Sequence, residues 1–222
     1  MHTTVSVGRM DPAAATAIAR VYAESESAGP PVPGLKRRQL YRYYDVFVEI
    51  QDFSGENAAE AAEEATRHPA ILRVRENLAP HVTAFDPAAT GDRATTFYHW
   101  EGAPPIDKET GLHSTVIVNR VRDAVIPEVA RLFGELDETD FPYRMGTRRR
   151  QLFTYHGVYF HIQDFEARDG NAVIDQAWKE ADPRFVKICA DLDPLVHKYA
   201  PERWRSTDDQ IAVRFHHWEV RA

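Results

Sequence analysis

A chain of 222 residues, 43% hydrophobic and 27% charged, has the composition of a globular protein, and no apolar run approaches the roughly 20 residues that span a bilayer. Its formal net charge of −7 speaks against nucleic acid, whose binding rests on neutralising phosphates. The single cysteine, Cys189, excludes an internal disulfide framework, and the opening MHTTVSVGRM lacks a basic-then-apolar leader, so a cytoplasmic location is expected.

Val5 to Arg9 alternates apolar and polar residues and predicts a strand. Asp11 then stands as an N-cap before Pro12, which suits a first helical position, and the helix carries Ile18, Val21 and Tyr22 on one face. After the loop GPPVPG, Leu35–Tyr43 and Val46–Phe53 predict a β-hairpin that reverses at Tyr44-Asp45. Helices are expected over Asn57–His68 and Ala70–Leu78, stopped by Pro69 and Pro80, and a closing strand over Thr95–Glu101.

The same order then returns. GTRRRQLFTYHGVYFHIQDF (146–165) repeats GLKRRQLYRYYDVFVEIQDF (34–53) at an offset of 112 residues, and FHHWE (215–219) repeats FYHWE (97–101). A repeat of this length defines the architecture before any local reading. The second unit has a strand over Ser114–Arg120, a helix over Ile126–Asp137 and a hairpin reversing at His156-Gly157. Helices over Asn171–Ala181 and Arg184–Asp191 follow, and Val213–Val220 closes it. The expected division is residues 1–104 and 113–222, joined by a polar, proline-bearing linker at 105–112. The order β-α-β-β-α-β predicts an α+β fold of two tandem ferredoxin-like units. Each has a four-stranded antiparallel sheet, and economy of burial packs the two as an intramolecular pseudo-dimer.

Period two sorts the hairpin side chains. Arg38, Leu40 and Arg42 share one face of the first hairpin strand, and Phe47, Glu49 and Gln51 share a face of its partner. In the second copy the sets are Arg150, Leu152, Thr154 and Tyr159, His161, Gln163, so that Arg150 and His161 enter one cavity if the pleat phases of the two strands agree. Glu49 reads either as a carboxylate paired to Arg38 or Arg42, or as a base of raised pKa. The aromatics Tyr43, Phe47, Tyr155 and Tyr159 read mainly as core or sheet interface, with the capacity to line a pocket for a flat polyphenol. Adjacent His216 and His217 point to opposite strand faces and make a poor metal pair, so no metal site is expected.

The opening VGRMDPAAATAIARVYAE, the two hairpins, the RHP at 67–69 and the closing FYHWEGAP make each unit resemble the tetracenomycin-type polyketide cyclases of aromatic (type II) polyketide biosynthesis. The resemblance implies cofactor-free ring closure of a poly-β-ketone by aldol condensation and dehydration. Its expected partners are an aromatic polyketide intermediate and, as a candidate donor of that chain, an acyl carrier protein. The family's proposed catalytic groups are a His-Asp pair at the end of the first helix, an arginine closing the RRR run, another four residues later, and a histidine in the next strand. Carried over, these fall on Asp137, Arg150 and His161 in the second unit, with Leu136 in place of the helix-end histidine and Thr154 in place of the second arginine. In the first unit they fall on Arg38 and Arg42, with Glu49 in place of the strand histidine and Ser25-Glu26 in place of the helix-end pair. The resulting expectation is His161 as general acid/base, Arg150 as oxyanion anchor and Asp137 orienting His161. A non-catalytic polyketide-binding template and a cofactor-free anthrone-type monooxygenase are the alternatives.

Overall fold

The computed structural model describes residues 1–27, 29–102, 112–166, 170–180 and 182–220; the expected linker falls on positions outside the described residues, apart from Leu112. In chain order β1 (His2–Met10) leads to α1 (Ala15–Glu26), then the hairpin β2 (Leu35–Tyr43) and β3 (Val46–Phe53). Helices α2 (Ala58–Ala65) and α3 (Pro69–Leu78), the short strand β4 (Val82–Ala84) and β5 (Thr95–Glu101) complete the first repeat. The second runs β6 (His113–Val121), α4 (Ile126–Asp137), a single helical turn α5 (Phe141–Arg144), β7 (Thr147–Tyr155), β8 (Val158–Phe165), α6 (Gly170–Glu180), α7 (Pro183–Leu192), β9 (Val196–Lys198) and β10 (Val213–Glu219).

The local signals act as their chemistry dictates. Asp11 caps the turn that opens α1 by accepting from the Ala13 amide at 2.9 Å. In the second hairpin His156 and Gly157 take φ of 47° and 75°, the left-handed pair that matches the twist of a two-residue reversal. The helices lie over one face of each sheet. Ile18 and Tyr22 of α1 meet Leu40, Phe47, Val74 and Leu78 in one core; Val129, Leu132, Phe133 and Leu136 of α4 meet Leu152, Tyr159 and Ile188 in the other. Each such side chain contributes about 1.5–3 kcal/mol by leaving water.

Two expectations are corrected here. The sheets have five strands, in the orders β10-β2-β3-β1-β4 and β5-β7-β8-β6-β9. The fourth strand of each ferredoxin-like unit is the three-residue β4 or β9, too short to register as a periodic pattern. The expected closing strands instead change places: β5 pairs with β7, and β10 pairs with β2. The compact units are therefore Met1–Ala94 with Val213–Ala222, and Thr95–Ala212, rather than the sequence repeats.

Chain geometry accounts for the exchange. After β4 the first repeat stays on the β1 side of its sheet, where Val7 N donates to Asp92 O at 2.7 Å and Ala94 N to Val5 O at 2.9 Å. The free edge of β2 lies four strand spacings away, about 19 Å. Thr95 begins β5 immediately, leaving no residues to cross that distance. The second repeat meets the same constraint, because Ala212 N donates to Val116 O at 2.8 Å and β10 starts at the next residue.

Candidate active site

In the unit formed by residues 95–212, strand register places Arg150 opposite Gln163 and Leu152 opposite His161, so Arg150 and His161 rise from one sheet face, one side-chain row apart. Arg150 Nε donates to Asp137 Oδ2 at 2.9 Å and Oδ1 at 3.1 Å, while Arg150 Nη1 lies 2.8 Å from His161 Nε2. A guanidinium only donates, so His161 Nε2 is the acceptor and the ring carries its proton on Nδ1. Tyr98, at the bulge of the exchanged strand β5, donates its hydroxyl to Asp137 Oδ2 at 2.9 Å. Phe133 of α4 packs its ring 4.8 Å from the Arg150 guanidinium carbon and edge-on to His161, with 5.0 Å between centroids.

Burial, and after it the Arg150 charge, hold His161 well below the usual 6.5, so the imidazole is neutral. Burial pushes the Asp137 carboxyl up, against the opposing pull of Arg150 and the hydrogen bonds it receives. The Tyr98 phenol is raised, first by burial and then by Asp137, and remains a donor.

Arg150, His161, Gln163 and Tyr159 line a cavity of about 310 Å³ whose other walls include Phe133, Leu136, Phe141, Phe185 and Ile188. That volume falls within the roughly 300–1,000 Å³ typical of small-molecule sites, and the mix of apolar walls with a few convergent polar groups is the usual one. Cys189 also lines it, its thiol pushed up to about 11 by burial. Among the described residues no group of three or more His, Cys, Asp or Glu could hold a metal ion.

The equivalent positions of the other unit are arranged differently. Arg38 Nη1 donates to Glu26 Oε1 at 2.7 Å, and Arg38 Nε sits 2.9 Å from Glu49 Oε1 as an ion pair without hydrogen-bond alignment. Glu49 also accepts from the Tyr22 hydroxyl at 2.9 Å and from Gln51 Nε2 at 2.6 Å. His216, from exchanged strand β10, lies with Nε2 2.7 Å from Glu26 Oε2. Burial pulls the Arg38 pKa down, but Glu49, Tyr22 and Glu26 together outweigh it and the net shift is upward. The cavity here is only about 20 Å³. Arg38 is fully buried between two carboxylates, and nothing larger than a water fits beside it.

Several sequence expectations change in detail. Asp137 holds Arg150 rather than His161, because the helix end reaches the β7 side chain first. Glu49 takes the paired alternative, with Arg38; Arg42 makes no hydrogen bond or ion pair among the described residues, since it stands opposite Phe47, one row beyond Glu49. Of the four aromatics only Tyr159 lines the large cavity. Phe47 is core, packed against Phe215, and Tyr43 and Tyr155 lie on the opposite sheet face by strand parity.

The family model described as polyketide synthesis cyclase matches residues 2–101 and, a second time, 113–219. The chain belongs to the polyketide synthesis cyclase family. It carries two copies of the family's domain. An uncharacterized protein of Streptomyces coelicolor is 41% identical over 109 residues, 49% of this chain and 96% of that protein. The tetracenomycin F2 cyclase of Streptomyces glaucescens is 29% identical over 107 residues, 48% of this chain and 94% of the cyclase. The crystal structure of a putative monooxygenase from Lactobacillus acidophilus matches 99% of this chain and 97% of its own with a TM-score of 0.57; at 11% identity it shows a shared fold. The groups that sequence reading missed are Tyr98 and His216, which reach the sites on exchanged strands, and Phe133 and Tyr22, which occupy one position of the repeat. The signal available for Tyr98 and His216 was their equivalence within FYHWE and FHHWE; nothing in sequence says which sheet each strand joins.

Proposed function

We propose that the unit formed by residues 95–212 catalyses intramolecular aldol cyclisation and dehydration of a poly-β-ketone intermediate in aromatic polyketide biosynthesis, and that the other unit is a closed, non-catalytic copy. The observation that carries the reading is a permanent cation and a neutral imidazole, 2.8 Å apart, on the wall of an apolar cavity of about 310 Å³. The net reaction is redox-neutral, so neither step calls for a redox cofactor.

The ground-state contact itself suggests the order of events. Arg150 occupies the one lone pair that His161 offers. A substrate carbonyl oxygen that takes over the Arg150 Nη1 hydrogen frees Nε2, and the same guanidinium then stabilises the enolate oxygen as charge develops on it. His161 removes a proton from the carbon between two carbonyls, and that carbon attacks a second ketone of the chain. The imidazolium returns its proton to the new alkoxide. Loss of the hydroxyl as water, with a proton from the neighbouring carbon, gives the aromatic ring. Asp137, held by Tyr98, fixes the guanidinium in place and is a positioning residue.

Paired substitutions test the division of labour. Arg150→Met should lower the rate by about 100-fold or more, the scale of losing a preorganised oxyanion donor. Glu49→Gln, in the other unit, should leave it within about twofold. Equal losses in the two variants would overturn the assignment to one unit.

A further inference from the structure

Three residues of the same cavity stand apart from Arg150 and His161. Asn119 on β6, Lys198 on β9 and Gln210 all line it. Register sets Asn119 directly between Tyr159 and Lys198. Lys198 therefore lies one side-chain row along and two strands across from His161, about 12 Å between Cα atoms.

The chemistry of this second pole is cationic. Lys198 makes no salt bridge among the described residues; its ammonium lies 4.3 Å from the centroid of the Trp204 ring, which also lines the cavity. Asn119 Nδ2 donates to Gln210 Oε1 at 3.0 Å, and Asn119 Oδ1 is buried without a hydrogen-bond partner. Among the described residues Asp193 is the one carboxylate on the lining, and it is not paired to Lys198. The other unit has nothing comparable. The register positions of Asn119 and Lys198 hold Gly8 and Ala84 there, and Gly8 is closed over by Val82, whose Cγ1 would lie 2.8 Å from an added Cβ.

Resting on the cyclase reading of this cavity, we propose that Lys198, with Asn119 and Gln210, forms a subsite for a carboxylate at the end of the substrate remote from the reacting ketones. Ketone oxygens go to Arg150 and the acidic end goes to Lys198, so the polar poles set which end of an elongated polycyclic intermediate faces His161. This makes Lys198 a specificity-determining residue, and one that acts without entering the chemistry.

The test is calorimetric binding of two rigid tricyclic probes, anthraquinone-2-carboxylate and 2-methylanthraquinone, to the full chain. Wild type should favour the carboxylate by about tenfold, the scale of one charged hydrogen bond, and the margin should shrink as salt rises. Lys198→Met, at an exposed position that does not threaten folding, should bring the two probes within about twofold while leaving 2-methylanthraquinone unchanged. Asp193→Asn should increase the preference. A carboxylate preference that survives in Lys198→Met, or is absent from wild type while the neutral probe binds, would overturn the subsite and leave the cavity assignment standing. Failure of both probes to bind would overturn the cavity assignment together with the subsite.

Discussion

His161 is the residue whose environment makes the most direct predictions. Its folded pKa lies below the ordinary 6.5, so acid favours the unfolded chain, which takes up the proton first. The resulting stability is present in full above about pH 6.5 and declines as pH falls from there toward the folded value; His161→Gln should flatten that part of a denaturation-versus-pH curve. The same shift predicts that activity continues below pH 6.5, and a rate profile with a limb centred at 6.5 would contradict a buried, neutral base. Tyr98→Phe removes one of the hydrogen bonds on Asp137. It should lower kcat about fivefold to tenfold with KM little changed, as expected for loss of one hydrogen bond that positions a catalytic group. A change in KM alone would assign Tyr98 to substrate binding. Arg150, His161 and Glu49 were legible in sequence because they stand at hairpin positions that the repeat and the family resemblance both mark; that Arg150 and His161 share a face came from the strand register. Tyr98 was not, since its place depends on which sheet accepts β5.

At the scale of elements, the hairpins are held by a pair of ion pairs distinct from the groups of the candidate site. Arg37 and Arg149, each preceding the arginine of the site, donate through Nε to Asp52 and Asp164 at 2.7 Å, and all four side chains are buried. Thr3 and Ser114 hydroxyls complete the aspartates, tying each hairpin to the first strand of its repeat. Asp164→Asn removes the buried carboxylate to which Arg149 Nε donates and should cost roughly 3–5 kcal/mol in denaturant unfolding. A loss under about 1 kcal/mol would mean that the pair is not desolvated as the structure has it. The hairpins and helices were legible because their periodicity and stop signals are strong. The strands β4 and β9 were not, because three residues hold no period. Parity also decides why Tyr155 and Tyr43, though aromatic and beside the site in sequence, take no part in it.

At the scale of the whole chain, the feature that two independently folded repeats would lack is the exchange of β5 and β10. Since FYHWE and FHHWE offer nearly the same side chains to nearly the same hairpin, the sequence contains no preference between its own edge and the other; the distance left to the chain at Ala94 and Ala212 makes the choice. Paired cysteines read this out. Thr95→Cys with Thr154→Cys, directly opposite on β5 and β7, should close an intrachain disulfide, while Thr95→Cys with Arg42→Cys, the pairing within one repeat, should not. The reverse pattern would return each closing strand to its own repeat. Exchange also means that each site draws one side chain from the other repeat, Tyr98 in one case and His216 in the other.

The central claim is that one of two homologous units performs a redox-neutral ring closure, and mass detection of product tests it most directly. Purified protein is incubated without added cofactor with a polycyclic polyketide intermediate that retains an uncyclised β-diketone arm, alongside the His161→Gln variant. The expected result is a product lighter by one water from the wild type and none above background from the variant. A product heavier by oxygen, or water loss undiminished in His161→Gln, would contradict it.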